Sequence, residues 1–485
     1  MADSIGHKVA SGAVWATIDK FGSMGMQFAV NLVLARMLVP EDFGIIGMLA
    51  IFIVVSNTLI DSGFGAALVQ KKSPSQVDYS TIFFWNLTFS IVLYLILWVS
   101  SPFIADFYSM PLLSSVLRVM ALNLIFTGIF SIQKVKLQKA LEFKTIALVN
   151  LGSYFLSALL AILCAYNGYG VWSLVLMQIS YGLLAIIILA IVTRWHPDLI
   201  FSVKSLRCLF GFGGYIMAAN ILQSVCQNFQ GIIIGKKFSA TQMGYFSQAY
   251  KLDQITSYSI PQAIVQVMFP VFSSLQSELQ RLCQAVLMSM RVISFVVFPL
   301  LCLLIIVAEP LIVTLYKSQW LPSVPYFQVL CCGGFFVCLQ NVNFYAVAAV
   351  GKSRELFWWG IYKWSSLLLL LLIGMNFGIY GVLWGMVLSS VNIFFVNAYL
   401  ASKHTGLSVV AQLGAIIPCL LTSITSFLIA RIIFEFTFNY WLSGILLIVT
   451  YLVINIISKS RALKDVCNLV DKILRNRKNN IDKND

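Results

Sequence analysis

Apolar residues in this chain run in long blocks broken by short polar knots, and the rhythm holds from end to end. A helix needs roughly 20 apolar residues to cross the hydrocarbon core of a bilayer. Read by that rule, the blocks predict about fourteen spans, near 11–35, 43–66, 77–100, 113–132, 145–166, 170–193, 208–234, 243–269, 283–308, 326–348, 357–377, 380–401, 409–434 and 440–458. The expected fold class is an all-α polytopic membrane protein. An even number of spans puts both termini on one side. The opening residues run straight into an apolar segment, so no cleavable signal peptide is expected.

The same phrases recur in order. "VLARMLVPEDFGIIGML" at 33–49 is echoed by "IIIGKKFSATQMGYFSQ" at 232–248, which sets Arg36 over Lys236, Gly44 over Gly244 and, upstream, Trp15 over Tyr215. "SPFIADFY" at 101–108 is echoed by "EPLIVTLY" at 309–316, "QKALEF" at 138–143 by "GKSREL" at 351–356, and "GVW" at 170–172 by "GVLW" at 381–384. Each period holds six spans, so both copies start on the same side. The expectation is two parallel repeats related by an axis along the membrane normal: an N-lobe at 1–200, a C-lobe at 201–404 and two extra helices at 405–458. Two such lobes would enclose a cleft and rock to expose it to alternate sides. Residues 459–485 are expected to form a cytoplasmic amphipathic helix, with Leu463, Val466, Val470 and Ile473 on one stripe, and a basic tail.

Composition agrees with a lipid solvent. Of 485 residues 60% are hydrophobic and only 10% charged, against about 25% charged in an ordinary soluble domain. The net charge is +14. With the N-terminus cytoplasmic, 22 basic residues fall inside and four, Arg36, Lys236, Lys237 and Lys317, outside, a positive-inside bias. The charge therefore reads as topology and contact with anionic lipid, with no nucleic acid as partner. The ten cysteines lie mostly in apolar runs without metal-ligand spacing, so neither a disulfide framework, a metal nor a cofactor is expected.

Polar groups at membrane depth are costly and tend to face water or each other. In the first span Lys20, Ser23, Gln27 and Asn31 follow at helical spacing; in the seventh, Asn220, Gln223 and Gln227 hold the matching positions. These stripes either line a hydrated cleft or act as interhelical glue. The other ionisable groups at depth are Asp19, Asp61, Arg118, Lys251, Asp253, Arg291 and Lys363. With Lys20 they leave a surplus of cations, which suits an anionic, polyhydroxylated cargo such as a pyrophosphate-linked sugar. Lys363 is expected to snorkel to the interface. The substrate-binding candidates are Lys20, Gln27, Asn31, Arg118, Asn220, Gln223, Gln227, Lys251 and Arg291; the carboxylates Asp19, Asp61 and Asp253 are candidates for coupling to a proton or sodium ion.

"LARMLVPEDFGIIGM", "DSGFGAALVQKKS" at 61–73 and "STIFFWNL" at 80–87 resemble the polysaccharide transport family of the multidrug/oligosaccharidyl-lipid/polysaccharide flippases, which includes the Wzx-type and colanic-acid exporters. The resemblance implies two six-helix lobes with extra C-terminal helices, and alternating access. It implies a bacterial inner-membrane flippase that moves undecaprenyl-pyrophosphate-linked oligosaccharide between leaflets, with a polysaccharide polymerase and chain-length proteins as associates. It carries no catalytic motif.

Two other readings stay open at this point. A membrane polysaccharide polymerase or acyltransferase calls for a sizeable extramembrane site or an acid–base cluster, and the three histidines, His7, His196 and His404, all fall on the cytoplasmic side. A multidrug exporter of the same superfamily favours cationic amphiphiles, which surplus positive charge repels.

Overall fold

The computed structural model describes residues 2–61 and 64–468, the side chains at 2–10, 66, 208–216, 218, 219, 353 and 354 excepted. Every regular element among them is helical. Lipid demands this, because each backbone N–H and C=O must find its partner within the segment. The helices group into two compact units, Met1–Gly244 and Tyr245–Asp485.

The first unit holds α1 (Ala2–Met37), α2 (Pro40–Asp61), α3 (Phe64–Gln70), α4 (Gln76–Tyr108), α5 (Leu112–Met120), α6 (Leu122–Lys139), α7 (Phe143–Tyr166), α8 (Val171–Thr193) and α9 (Val203–Lys237), and ends in the first turn of α10 (Ala240–Gln254). In the second unit α10 runs through a π-helical turn, Ile255–Ser259, into α11 (Ile260–Ser274). There follow α12 (Leu279–Ile306), α13 (Ala308–Tyr316), α14 (Val324–Ala349), α15 (Ser353–Gly374), α16 (Gly378–Thr405), α17 (Val409–Thr437) and α18 (Tyr440–Ile457). A last helical stretch occupies 461–468; the rest of the expected amphipathic helix lies outside the described residues.

Eleven described segments are long and apolar enough to cross a membrane, and one of them, Glu355–Thr405, contains both α15 and α16.

The repeated phrase has a common local form. Each long helix stops before a two-residue knot, 38–39 or 238–239, and a new helix starts at Pro40 or Ala240. Pro40 needs no N–H at the first helical position, and Glu41 and Asp42 favour the positive end of the α2 dipole. Asp42 also accepts a hydrogen bond from the Val39 N–H at 3.2 Å.

Within the first unit, α2 lies along α9 and meets the first turn of α10 through paired glycines. A β-carbon on Gly44 would sit 1.7 Å from the Ala240 carbonyl oxygen, and one on Gly244 would sit 1.8 Å from that of Pro40. The two contacts are reciprocal. Small residues let helix backbones approach this closely in lipid, where apolar surface alone gives helices no reason to associate.

The segment after α3 is tied down by polar contacts. Ser75 caps α4 in a capping box with Asp78, and Lys139 of α6 donates to the Val69 and Lys71 carbonyls at 2.6 and 2.5 Å. The segment from α8 to α9 is pinned to the start of α4. Trp195 Nε1 donates to Gln76 at 2.9 Å, and the Asp198 and Ser202 N–H groups donate to Ser80 and Thr81 at 2.9 and 3.1 Å.

The second unit has a buried amide network. Asn343 of α14 donates to Gln412 of α17 at 2.9 Å, and Gln412 donates to the Ala398 and Leu407 carbonyls at 3.1 and 3.2 Å. Both α17 and α18 pack on α12, where the Tyr451 hydroxyl donates to the Phe295 carbonyl at 3.0 Å.

Candidate functional site

In the first unit, the polar stripe of α1 is presented outward: Lys20 and Gln27 are exposed and Asn31 is half-buried. The matching residues of α9, Asn220, Gln223 and Gln227, are exposed as well. Between them in sequence order sits a true interhelical bond, Thr58 of α2 to Ser224 of α9 at 2.9 Å. The stripe therefore has two parts. Ser224 acts as glue, while the amides beside it present polar groups outward, which hydrocarbon does not tolerate and water does.

Asp19 points elsewhere. It accepts two hydrogen bonds from the Asn150 amide at 3.0 and 3.1 Å, and one from Ser23 at 3.4 Å. Asn150 in turn accepts from the Tyr181 hydroxyl at 3.4 Å. This chain joins α1, α7 and α8 through one carboxylate. Asp61 closes α2, exposed, with Lys134 of α6 as the nearby cation; its neighbours Ser62 and Gly63 lie outside the described residues.

Arg118 is committed to α4. Its Nε donates to Ser101 at 2.7 Å and its guanidinium lies 4.5 Å from the centre of the Trp98 ring. A cation on an exposed tryptophan is an interfacial arrangement.

In the second unit Lys251 is exposed near the end of α10, whereas Asp253 is buried and accepts from Ser257 at 2.5 Å. The π-turn that follows has a cause. Pro261 lacks the N–H that would bond back four residues, and its ring crowds that carbonyl, so the helix widens over Ile255–Ser259. Such widened turns recur at functional sites. Lys363 lies against two indoles, 5.3 Å from Trp359 and 4.7 Å from Trp364.

Arg291 is ion-paired. Its Nε meets Asp465 of the 461–468 stretch at 2.6 Å, with both side chains about four-fifths buried at 22 and 21% exposure. The pair explains how the first part of the expected surface helix docks on α12. Asp465→Asn removes a charge-assisted bond worth about 1–2 kcal/mol, so trypsin cleavage at Arg461 and Lys464 should rise several-fold in membranes. Unchanged cleavage would show that the pair does not hold the helix.

A further polar cluster brings in Asn341 and Tyr345 of α14, which were not among the candidates. Gln262 of α11 accepts from Asn341 of α14 at 2.6 Å and donates to the Tyr345 hydroxyl at 3.2 Å. The signal was present in "LQNVNFY", three amides within a membrane span.

Residues 33–325 match the family described as polysaccharide biosynthesis protein. The chain belongs to that family. Among its relatives, the teichuronic acid biosynthesis protein TuaB of Bacillus subtilis is 29% identical over 361 residues, 73% of this chain and 74% of the relative. The succinoglycan biosynthesis transport protein ExoT of Rhizobium meliloti is 25% identical over 349 residues, 72% of this chain and 71% of the relative. Among solved structures, the lipid II flippase MurJ in an inward closed conformation has a TM-score of 0.72 at 12% identity, covering 92% of this chain and 99% of that one. At such identity the likeness shows the fold. The chain is a multi-pass membrane protein that shares the fold of that structure, as its sequence resemblance implied.

Proposed function

We propose that this chain is a flippase that carries undecaprenyl-pyrophosphate-linked oligosaccharide repeat units from the cytoplasmic to the periplasmic leaflet of a bacterial inner membrane, by alternating access. Both termini lie in the cytoplasm, where the basic residues concentrate. The observation that carries the reading is a set of exposed cationic and amide side chains, Lys20, Gln27, Asn220, Gln223, Gln227 and Lys251, on helices of a family of polysaccharide biosynthesis. Lysines there attract a pyrophosphate as point charges, and amides bond hydroxyls. Asn31, half-buried on the same α1 stripe, belongs to this set. Arg118 and Arg291 reach substrate only by leaving Ser101 and Asp465, so in this reading they act in another stage of the cycle.

Coupling to a proton or sodium ion runs through Asp19, Asp61 or Asp253, each a carboxylate at membrane depth. A polysaccharide polymerase and chain-length proteins take the product on the periplasmic side.

The experiment is complementation of a deletion strain. Lys20→Ala with Lys251→Ala should lower surface polysaccharide at least tenfold while membrane levels of the protein hold, and lipid-linked repeat units should accumulate inside. Normal surface polysaccharide in that double variant would overturn the reading.

A further inference from the structure

The second unit contains two kinds of amide network, and only one is buried. Asn343, Gln412, Gln340 and Asn397 are between 0 and 8% exposed and bond to one another or to backbone carbonyls. They are packing glue. The Gln262–Asn341–Tyr345 network is different. All three side chains are half-buried, and Tyr258, which neighbours Asn341 and Tyr345, is 41% exposed. Glue has no need of an open tyrosine beside it.

The local fold fixes this patch. The π-turn imposed by Pro261 sets Tyr258 and Gln262 on the way from α10 to α11, and α14 closes on the turn so tightly that a β-carbon on Gly334 would lie 2.3 Å from Ser257 Oγ. Asn341 and Tyr345 stand one turn apart on α14 and reach Gln262 from the other side. Tyr345 is held by Phe269, with ring centres 5.1 Å apart, and stacked edge-on by Phe344 at 5.5 Å. The chemistry is two amides and two phenols on rigid helices, with aromatic faces alongside. The bonds to Tyr345 and Asn341 engage one donor and one acceptor of the four hydrogen-bonding positions of Gln262.

We propose that Tyr258, Gln262, Asn341 and Tyr345 form a carbohydrate subsite that holds the sugars of the cargo. It rests on the flippase reading and adds a location within it. Neutral amides and phenols match vicinal hydroxyls, and tyrosine faces cover the C–H side of a pyranose. Lys251 lies two turns before Tyr258 on the same run of helix, so a lipid whose pyrophosphate meets Lys251 carries its sugars past Tyr258 and Gln262. The head group is thus read in two parts, charge at one and hydroxyls at the other.

The test uses purified protein in nanodiscs with two probes. One is undecaprenyl pyrophosphate alone; the other is lipid-linked oligosaccharide extracted from cells of the host deleted for this protein. Gln262→Ala and Tyr258→Ala should each weaken binding of the sugar-bearing lipid about three- to tenfold, the loss of a hydrogen bond or two, and leave the bare lipid unchanged. Lys251→Ala should weaken both. Unchanged binding of the sugar-bearing lipid in both subsite variants overturns the proposal, and so does an equal loss for both lipids, which marks a structural effect. If the native protein binds neither lipid, the flippase reading itself falls.

Discussion

Gly44→Ala is expected to be among the most damaging single-methyl changes in this chain. The added carbon would lie 1.7 Å from the Ala240 carbonyl oxygen, and backbone cannot rotate away as a side-chain tip can. Overpacking in a tight core costs about 1–3 kcal/mol, and a clash with backbone belongs at the top of that range or beyond. Gly244→Ala should behave alike, through Pro40. Thermal unfolding of detergent-purified protein, with membrane yield beside it, reads the loss. Gly25→Ala and Gly152→Ala are the controls, since nothing lies within 4 Å of a β-carbon at either position; they should be neutral or slightly stabilising through better helix propensity. If Gly44→Ala unfolds with the controls, the close approach of α2 to α10 is not a constraint.

That contact accounts for the phrase written twice. The sequence pairs Gly44 with Gly244 by position alone. The structure adds that each glycine serves the other's helix start, so neither copy is dispensable. Class and order of elements were readable because lipid forces long apolar helices. Helix ends were less so. The third span was expected at 77–100, yet α4 runs from Gln76 to Tyr108, because "SPFIADFY" continues the helix through Pro102 instead of leaving it. Hydropathy marks where the hydrocarbon ends, and a helix need not end there.

The site was legible in its residue types and opaque in its pairings. Lys20, Gln27 and Lys251 are exposed, as a water-facing role requires. Helical spacing alone linked Lys20 with Ser23 and Gln27, whereas the neighbouring Asp19 finds Asn150 across 131 positions and Arg291 finds Asp465 across 174. Such partners depend on how helices pack side by side, which local periodicity does not encode. Asn341 and Tyr345 of α14 escaped for a simpler reason: the reading followed the matched stripes of the first and seventh spans and, elsewhere, the charges.

Asp78→Ala should be the other large loss, and it separates packing from transport in the family-like segment "QKKS". Asp78 is 1% exposed, while its ion-pair partner Lys71 is 38% exposed at 2.6 Å. The carboxylate also accepts from the Ser75 N–H at 2.8 Å and the Ser75 hydroxyl at 3.0 Å, and the Ser75 side chain caps α4 in return. Alanine removes half of a capping box, worth about 1 kcal/mol, and a hydrogen-bonded buried charge, worth about 1.5–3 kcal/mol. Because Lys71 keeps water within reach, the total belongs near 2–3 kcal/mol, below the cost of orphaning a fully buried cation. Asp78→Asn keeps an acceptor for Ser75 and should lose less than half as much. Transport per folded molecule should be unchanged in both variants, measured as surface polysaccharide normalised to protein in the membrane. A variant that folds at native stability but fails to export would move Lys71 and Asp78 out of the scaffold and into the transport cycle.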